Sequence, residues 1–284
     1  MKIIKNYLTK NRCYITGAKR TPIGIQIHTI GTGQGTAQSV ADYWNQSAVS
    51  ACVTYCVDAD VPGKVLQFLP ESTRSWADAG WGNNSLITIE ICESDYIKYK
   101  GGASYDVLDA AKFKADIMRG YETAVELCAD ICTRYGWDPQ AKLKNRMYLI
   151  SSHLEGNLAG LSSNHGDPDH VWSRFGLTMD EFRADVAAAM SPPEFTKGAK
   201  YRMNIGLALR KSPSRNAPFV MYRDIPLTKR HLFRNGAKGQ AIIKKGVKVK
   251  CLGEKKVGKR GVYMQIARGW VLAKYRGKNR ATKM

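Results

Sequence analysis

Five histidines occur in the 284 residues, and four of them stand where a chain can turn them toward one point. His28 ends the alternating run Ile23-Gly-Ile-Gln-Ile-His28. His153 follows the apolar run Tyr148-Leu-Ile150, and His165 and His170 bracket Asp167 in Asn164-His-Gly-Asp-Pro-Asp-His170. Imidazole and carboxylate groups at strand ends and in a nearby loop could converge on Zn2+, which in catalytic sites takes three protein ligands and keeps a position for water. These residues are scattered rather than packed in a short motif, so polar loop histidines are the competing reading. Glu90 is the second unusual residue, because it interrupts the apolar strand Leu86-Ile-Thr-Ile-Glu-Ile91. Alternation puts it on a face with Thr88 and Cys92, away from the isoleucines. There it acts either as general base and then acid beside a metal-held water, or as an ordinary solvent-facing glutamate on a half-exposed sheet. Cys128 and Cys132, four apart on a probable helix, read as buried packing more readily than as half a metal site.

These groups need a sheet to hold them. The spacing predicts strands over 23–28, 51–57, 64–69, 86–91 and 146–151, with a hairpin turn at Asp58-Ala-Asp-Val-Pro-Gly63. Helices are expected after Thr36, over Asp106–Tyr135, and from the capping box Thr178-Met-Asp-Glu181 to Met190. The loop Gly31-Thr-Gly-Gln-Gly35 lacks the Gly-Lys-Ser/Thr ending of a phosphate loop. Residues 191–200 read as a linker, and beyond them short β-type runs separated by Gly, Asn, Pro and Lys suggest a small all-β barrel or sandwich. The predicted fold class is therefore a mixed α/β sheet flanked by helices over 1–190, then a small all-β domain over 201–284.

Charge divides the chain in the same place. Residues 201–284 hold 23 Lys+Arg against 2 Asp+Glu, a net +21, while the first 200 residues are close to neutral at −1. Such a field attracts polyanions: nucleic acid, an anionic membrane or an anionic polymer. Ordinary globular composition excludes wholesale disorder. No stretch approaches about 18 consecutive apolar residues, so no transmembrane helix is expected. The first residues lack the apolar core of a signal peptide, and seven cysteines, an odd number set among apolar residues, suit a reducing compartment.

Several motifs together resemble the zinc-dependent N-acetylmuramoyl-L-alanine amidases of phage endolysins and bacterial autolysins. The strand ending in His28, followed by Thr29-Ile-Gly-Thr-Gly33, is similar to the family's first metal histidine, and Val40-Ala-Asp-Tyr-Trp44 to the helix after it. Ser75-Trp-Ala-Asp78 and Gly80-Trp-Gly-Asn83 resemble a tryptophan loop lining the substrate groove. Ile87-Thr-Ile-Glu-Ile-Cys-Glu93 resembles the strand carrying the catalytic glutamate, Ser152-His-Leu-Glu155 the second metal histidine, and Ser163-Asn-His-Gly-Asp-Pro168 the last motif. The resemblance spans roughly 23–190 with the motifs in family order. It implies His28, His153 and Asp167 as zinc ligands, with His170 in reserve, and Glu90 and His165 as catalytic residues. It implies Trp76, Asp78, Trp81, Asn83 and Tyr55 as substrate contacts. Thr54-Tyr55 departs from the His-Tyr common in relatives, Ala77-Asp78 departs from Trp-His-Ala, and His165 stands where many relatives have Lys.

The C-terminal part resembles, more weakly, a bacterial SH3-type wall-binding module, through Leu209-Arg-Lys-Ser-Pro-Ser214, Lys245-Gly-Val-Lys-Val249 and Arg268-Gly-Trp-Val271. Trp270 and Tyr263 are the aromatics expected at any specific pocket there. The implied function is a peptidoglycan hydrolase that waits in the host cytoplasm and then acts on the wall, with anionic wall polymers as partners of the basic domain. The rivals are a non-catalytic peptidoglycan-recognition module, which loses a metal ligand, and a nucleic-acid-binding protein. The basic domain shows no nucleic-acid motif, so that partner is disfavoured.

Overall fold

The β-branched, alternating segment Gly24-Ile-Gln-Ile-His-Thr29 forms β2, and all six residues are buried. It lies between two parallel neighbours, β5 (Leu86–Ile91) and β8 (Ile150–Ser152). The sheet continues through β3 (Tyr55–Val57), parallel to β5, and β4 (Lys64–Gln67), antiparallel to β3, and ends at β1 (Lys2–Lys5). The order β1-β4-β3-β5-β2-β8 makes a mixed six-stranded sheet. The computed structural model describes every residue except 192, 215 and 258–260.

Alternation divides the sheet into two unlike faces. Ile25, Ile27, Ile87 and Ile89 share one face, and Gln26, His28, Thr88 and Glu90 share the other. α2 (Ala37–Trp44), capped by the Thr36 side chain, buries Val40, Ala41 and Trp44 in a cluster with Cys56, Leu66, Phe68 and Cys92. The long helix α4 (Ala110–Tyr135) starts at Asp109, whose carboxylate accepts from the backbone of Ala111 and Lys112, and stops at Gly136 in the left-handed region. It begins later than the sequence suggests. Residues 97–107 instead form a hairpin, β6 (Ile97–Gly101) and β7 (Ser104–Val107), turning at Gly101-Gly102. Shorter helices are α1 (Arg12–Thr16), α3 (Gly82–Ser85), α5 (His153–Leu158) and α6 (Asp169–Trp172), followed by α7 (Met179–Met190). Among the described residues no helix is long and apolar enough to cross a membrane.

The chain divides into two compact units, Met1–Ala187 and Ala188–Met284. Among the described residues the second is all-β apart from the last residues of α7 and short turns of 3-10 helix. Its sheets are β10 (Leu207–Ala208), β12 (Ala241–Ile243) and β11 (Phe233–Asn235); β13 (Lys248–Lys250), β9 (Lys200–Met203) and β18 (Ala281–Lys283); and β14 (Gly253–Val257), β15 (Gly261–Ile266), β16 (Gly269–Tyr275) and β17 (Lys278–Asn279). They share one core of Tyr201, Met203, Leu209, Phe233, Ile243, Met264 and Val271. Phe195, within the stretch expected to be a linker, is buried in this core, because an aromatic ring gains more inside than in water.

Candidate active site

β2 carries His28 to its C-terminal end, and β8 hands the chain directly to α5, whose first residue is His153. Ser152 caps α5 and Glu155 closes the capping box, so the His153 backbone is held at a fixed helix start. Asp167 comes from the loop before α6, where its carbonyl accepts from the Leu154 backbone and its carboxylate from the Thr29 backbone. His28 Nδ1 lies 3.0 Å from His153 Nδ1, and each nitrogen is 3.3 Å from an oxygen of Asp167. Both imidazoles are buried.

This donor set fits a small dication. Metal–ligand lengths near 2.0–2.2 Å place neighbouring ligand atoms of a tetrahedral zinc about 3.3–3.6 Å apart, close to the separations found here. His153 Nε2 is 3.1 Å from Ser163 Oγ; donating there leaves the Nδ1 lone pair facing the cluster. Burial works against the Asp167 charge, yet hydrogen bonds and charge from His153 and His28 hold its carboxyl far below the usual carboxylate range. The cluster thus presents an ionised carboxylate beside two nitrogens.

Glu90 is the direct cross-strand neighbour of His28. Paired residues on parallel strands project to the same side, so the carboxyl shares the polar face with the cluster. It is almost fully buried, and no hydrogen bond holds it among the described residues. Burial, then the charges of Asp167 and Glu93, push its pKa well above the carboxylate norm. A buried carboxyl of raised pKa is suited to exchanging a proton with a neighbouring water. His165 is exposed, its ring centroid 4.7 Å from that of His153, and Ser163 Oγ stands 3.5 Å from its Nδ1.

The loop expected to line a groove divides by role. Trp76 is 42% exposed, with the Arg74 guanidinium 5.0 Å from its ring centre, and the two line a surface pocket of about 230 Å3 with Arg12 and Cys13. Trp81 is half-buried. Asp78 and Asn83 are buried and turned inward. The Asp78 carboxylate accepts from the backbone of Gly80, Gly82 and Asn83, and Asn83 Oδ1 accepts from Ala77 and Asp78. A side chain at Gly82 would run into Gln26 and the Asp78 carboxylate, so the loop needs glycine there. The Asp78 carbonyl accepts from the Ser163 backbone, which ties this loop to the hydroxyl that steadies His153.

Tyr55 and His170 also point away from the cluster. Tyr55 pairs with Ile89, which places it on the opposite face, where its hydroxyl donates to Glu71 at 2.7 Å. Replacing Tyr55 with Phe should therefore cost about 0.5–1.5 kcal/mol of stability, read by denaturant unfolding, and leave turnover unchanged. His170 turns away to Tyr99, its Nε2 2.7 Å from the phenolic oxygen, while Tyr99 also donates to Glu93 at 2.8 Å. Glu93 is fully buried, and burial pushes its carboxyl up to about 7 against the hydrogen bonds it accepts. Glu93 and Tyr99 escaped the sequence reading. The signal was Glu93 itself, a second acid three residues after Glu90 in an otherwise apolar stretch.

Residues 18–170 match the family model of the N-acetylmuramoyl-L-alanine amidases. The chain belongs to this family. The amidase unit is also similar to the solved structure of the Staphylococcus aureus hydrolase AmiA in complex with its ligand, at 20% identity and a TM-score of 0.51, over 67% of this chain and 83% of that one. That likeness concerns the fold. The catalytic domain of XlyA (18% identity, TM-score 0.46, 67% of this chain and 100% of that one) and a mutant endolysin from Bacillus subtilis (17%, 0.44, 67% and 99%) also match. A search of curated proteins finds no match.

Proposed function

We propose that this amidase is a zinc-dependent peptidoglycan hydrolase that cleaves the amide bond between N-acetylmuramic acid and L-alanine of the stem peptide. The observation that carries the reading is the meeting of His28, His153 and Asp167 beside Glu90 in a chain of the amidase family. Zinc held by the two Nδ1 atoms and the Asp167 carboxylate would polarise the lactyl carbonyl and lower the pKa of its water toward about 7.

The chain's own groups do the rest. Glu90, unbonded and raised in pKa, takes a proton from the attacking water and passes it to the departing alanine amine. His165, exposed beside His153, donates to the carbonyl oxygen as charge develops there. Ser163 holds both imidazoles in place, and the Asp78 clamp holds Ser163. Trp76 offers an open aromatic wall to the glycan or peptide. The second unit, with its excess of cations, concentrates the enzyme on the wall, in the role of an SH3-like wall-binding module. The resulting picture is an endolysin whose site of action is the cell wall.

Mass spectrometry of digested walls tests the reaction. New free N-terminal alanine with intact glycan chains is expected, and new reducing sugar ends would overturn it. His165→Ala should lose about 10²–10³ in turnover, the usual cost of one oxyanion donor. Its zinc content by elemental analysis should be unchanged.

A further inference from the structure

The sheet β13-β9-β18 of the second unit has two faces of opposite character. Tyr201, Met203 and Ala281 point into the core, with Val249 packed against it. The other face is Lys200 and Arg202 on the central strand β9, Lys248 and Lys250 on β13, and Thr282 on β18, all exposed. The register sets Lys248 directly opposite Arg202, and Lys250 directly opposite Lys200. Like charges facing each other across a ladder destabilise a sheet. Lysine on an edge strand is explained by protection against sheet-to-sheet pairing. That account does not reach Lys200 and Arg202, because β9 is paired on both sides.

Among the described residues nothing within the unit neutralises the face. Its three acids are engaged elsewhere: Glu194 with Lys274, Asp224 with Arg223, and Glu254 with the backbone of Glu194 and Phe195. Among the described residues, none of the four cations has an ion pair or a side-chain hydrogen bond. Aromatics are absent from the face as well. Trp270 is half-buried and Tyr263 is 1% exposed, so neither supplies an open ring to it.

We propose that this cationic sheet face is a docking surface for the phosphodiester backbone of an anionic wall polymer of the poly(polyol phosphate) class. The charges repeat about every 6.6–6.8 Å along each strand, in two rows about 4.8 Å apart, a ladder suited to a linear chain with regularly spaced negative charge. Single-stranded nucleic acid is bound by aromatic platforms that stack its bases, and this face has none. Polyol phosphate has no ring to stack, so charge alone suffices. The assignment rests on the reading of the chain as a wall hydrolase, and it places the second unit's targeting on four named side chains.

The test uses the full-length protein with purified walls that carry poly(glycerol phosphate), and the same walls after hydrofluoric acid has removed the phosphodiesters. Wild type should bind the first at least about tenfold more tightly, and the preference should fade with salt as each contact releases a counterion. K200Q/R202Q/K248Q/K250Q should lose that preference. Its slope of log affinity against log salt should be shallower by about 3, at roughly 0.7–0.9 per contact removed. Its thermal midpoint should be equal to or above wild type, since neutralisation removes repulsion. A control with the same charge change at exposed sites off the face, Lys229, Lys238, Lys244 and Lys245 to Gln, should keep the preference. Equal losses in the two variants, equal binding to treated and untreated walls, or tighter binding of a single-stranded oligonucleotide than of the polymer would each overturn the proposal. Cleavage of soluble muropeptide is measured alongside: lost cleavage with preserved wall preference counts against the amidase reading and not against the docking face.

Discussion

Glu90→Gln should leave zinc content unchanged and lower turnover by about 10²–10⁴-fold, the range general-base catalysis contributes. Glutamine keeps the volume and removes only the proton acceptor, so a structural collapse is not expected at a site already packed between β2 and β3. The pH profile gives a second reading. A base works in its deprotonated form, so the rate should rise with pH through the Glu90 titration. Burial and the charges of Asp167 and Glu93 place that limb above the ordinary carboxylate range. The limb should vanish in Glu90→Gln. Turnover within a few-fold of wild type would remove Glu90 from the mechanism.

His153→Ala should bring bound zinc well below one per chain and abolish measurable turnover, because one of three protein ligands is gone and Asp167 loses one of its two imidazole partners. Unfolding supplies a readout independent of activity. At a free zinc concentration 100 times its dissociation constant, a ligand that binds only the folded state adds about 2.7 kcal/mol. Wild type should therefore gain thermal stability on zinc addition and His153→Ala should not. His170→Ala should keep its zinc, since that imidazole is already engaged with Tyr99. Full zinc in His153→Ala, or zinc loss in His170→Ala, would redraw the site.

The central strands were legible because their residues declare them. Gly24–Thr29 and Leu86–Ile91 alternate strongly, and the class of mixed sheet followed by an all-β part followed from such runs. What was hidden is short or depends on parity. β1 is four residues, Lys-Ile-Ile-Lys, that make sense only beside β4. The β6–β7 hairpin sits next to a long helical pattern whose expected start at Asp106 overlaps the last two residues of β7, and its only local mark is Gly101-Gly102. The sequence places Tyr55 on a strand running from residue 51, but the ladder begins at Tyr55, and its pairing with Ile89 decides the face. In sequence, Asp78 and Asn83 are expected as substrate contacts on the tryptophan loop. Only the folded loop reveals that their oxygens are consumed by backbone N–H groups.

The placement of β2 also governs how the protein is made. β2 emerges early in synthesis, yet it ends up in the interior of the sheet, between strands that emerge much later. His28 meets His153 only after 125 further residues have been made. Until then an apolar strand waits with both edges open, and closing that long span precedes any gain from the contact. No N-terminal fragment that ends before Asp167 can assemble the three-residue cluster. Metal capture in a newly made chain therefore reports that β2, β8 and the loop of Asp167 have already come together, rather than helping an early fragment to fold.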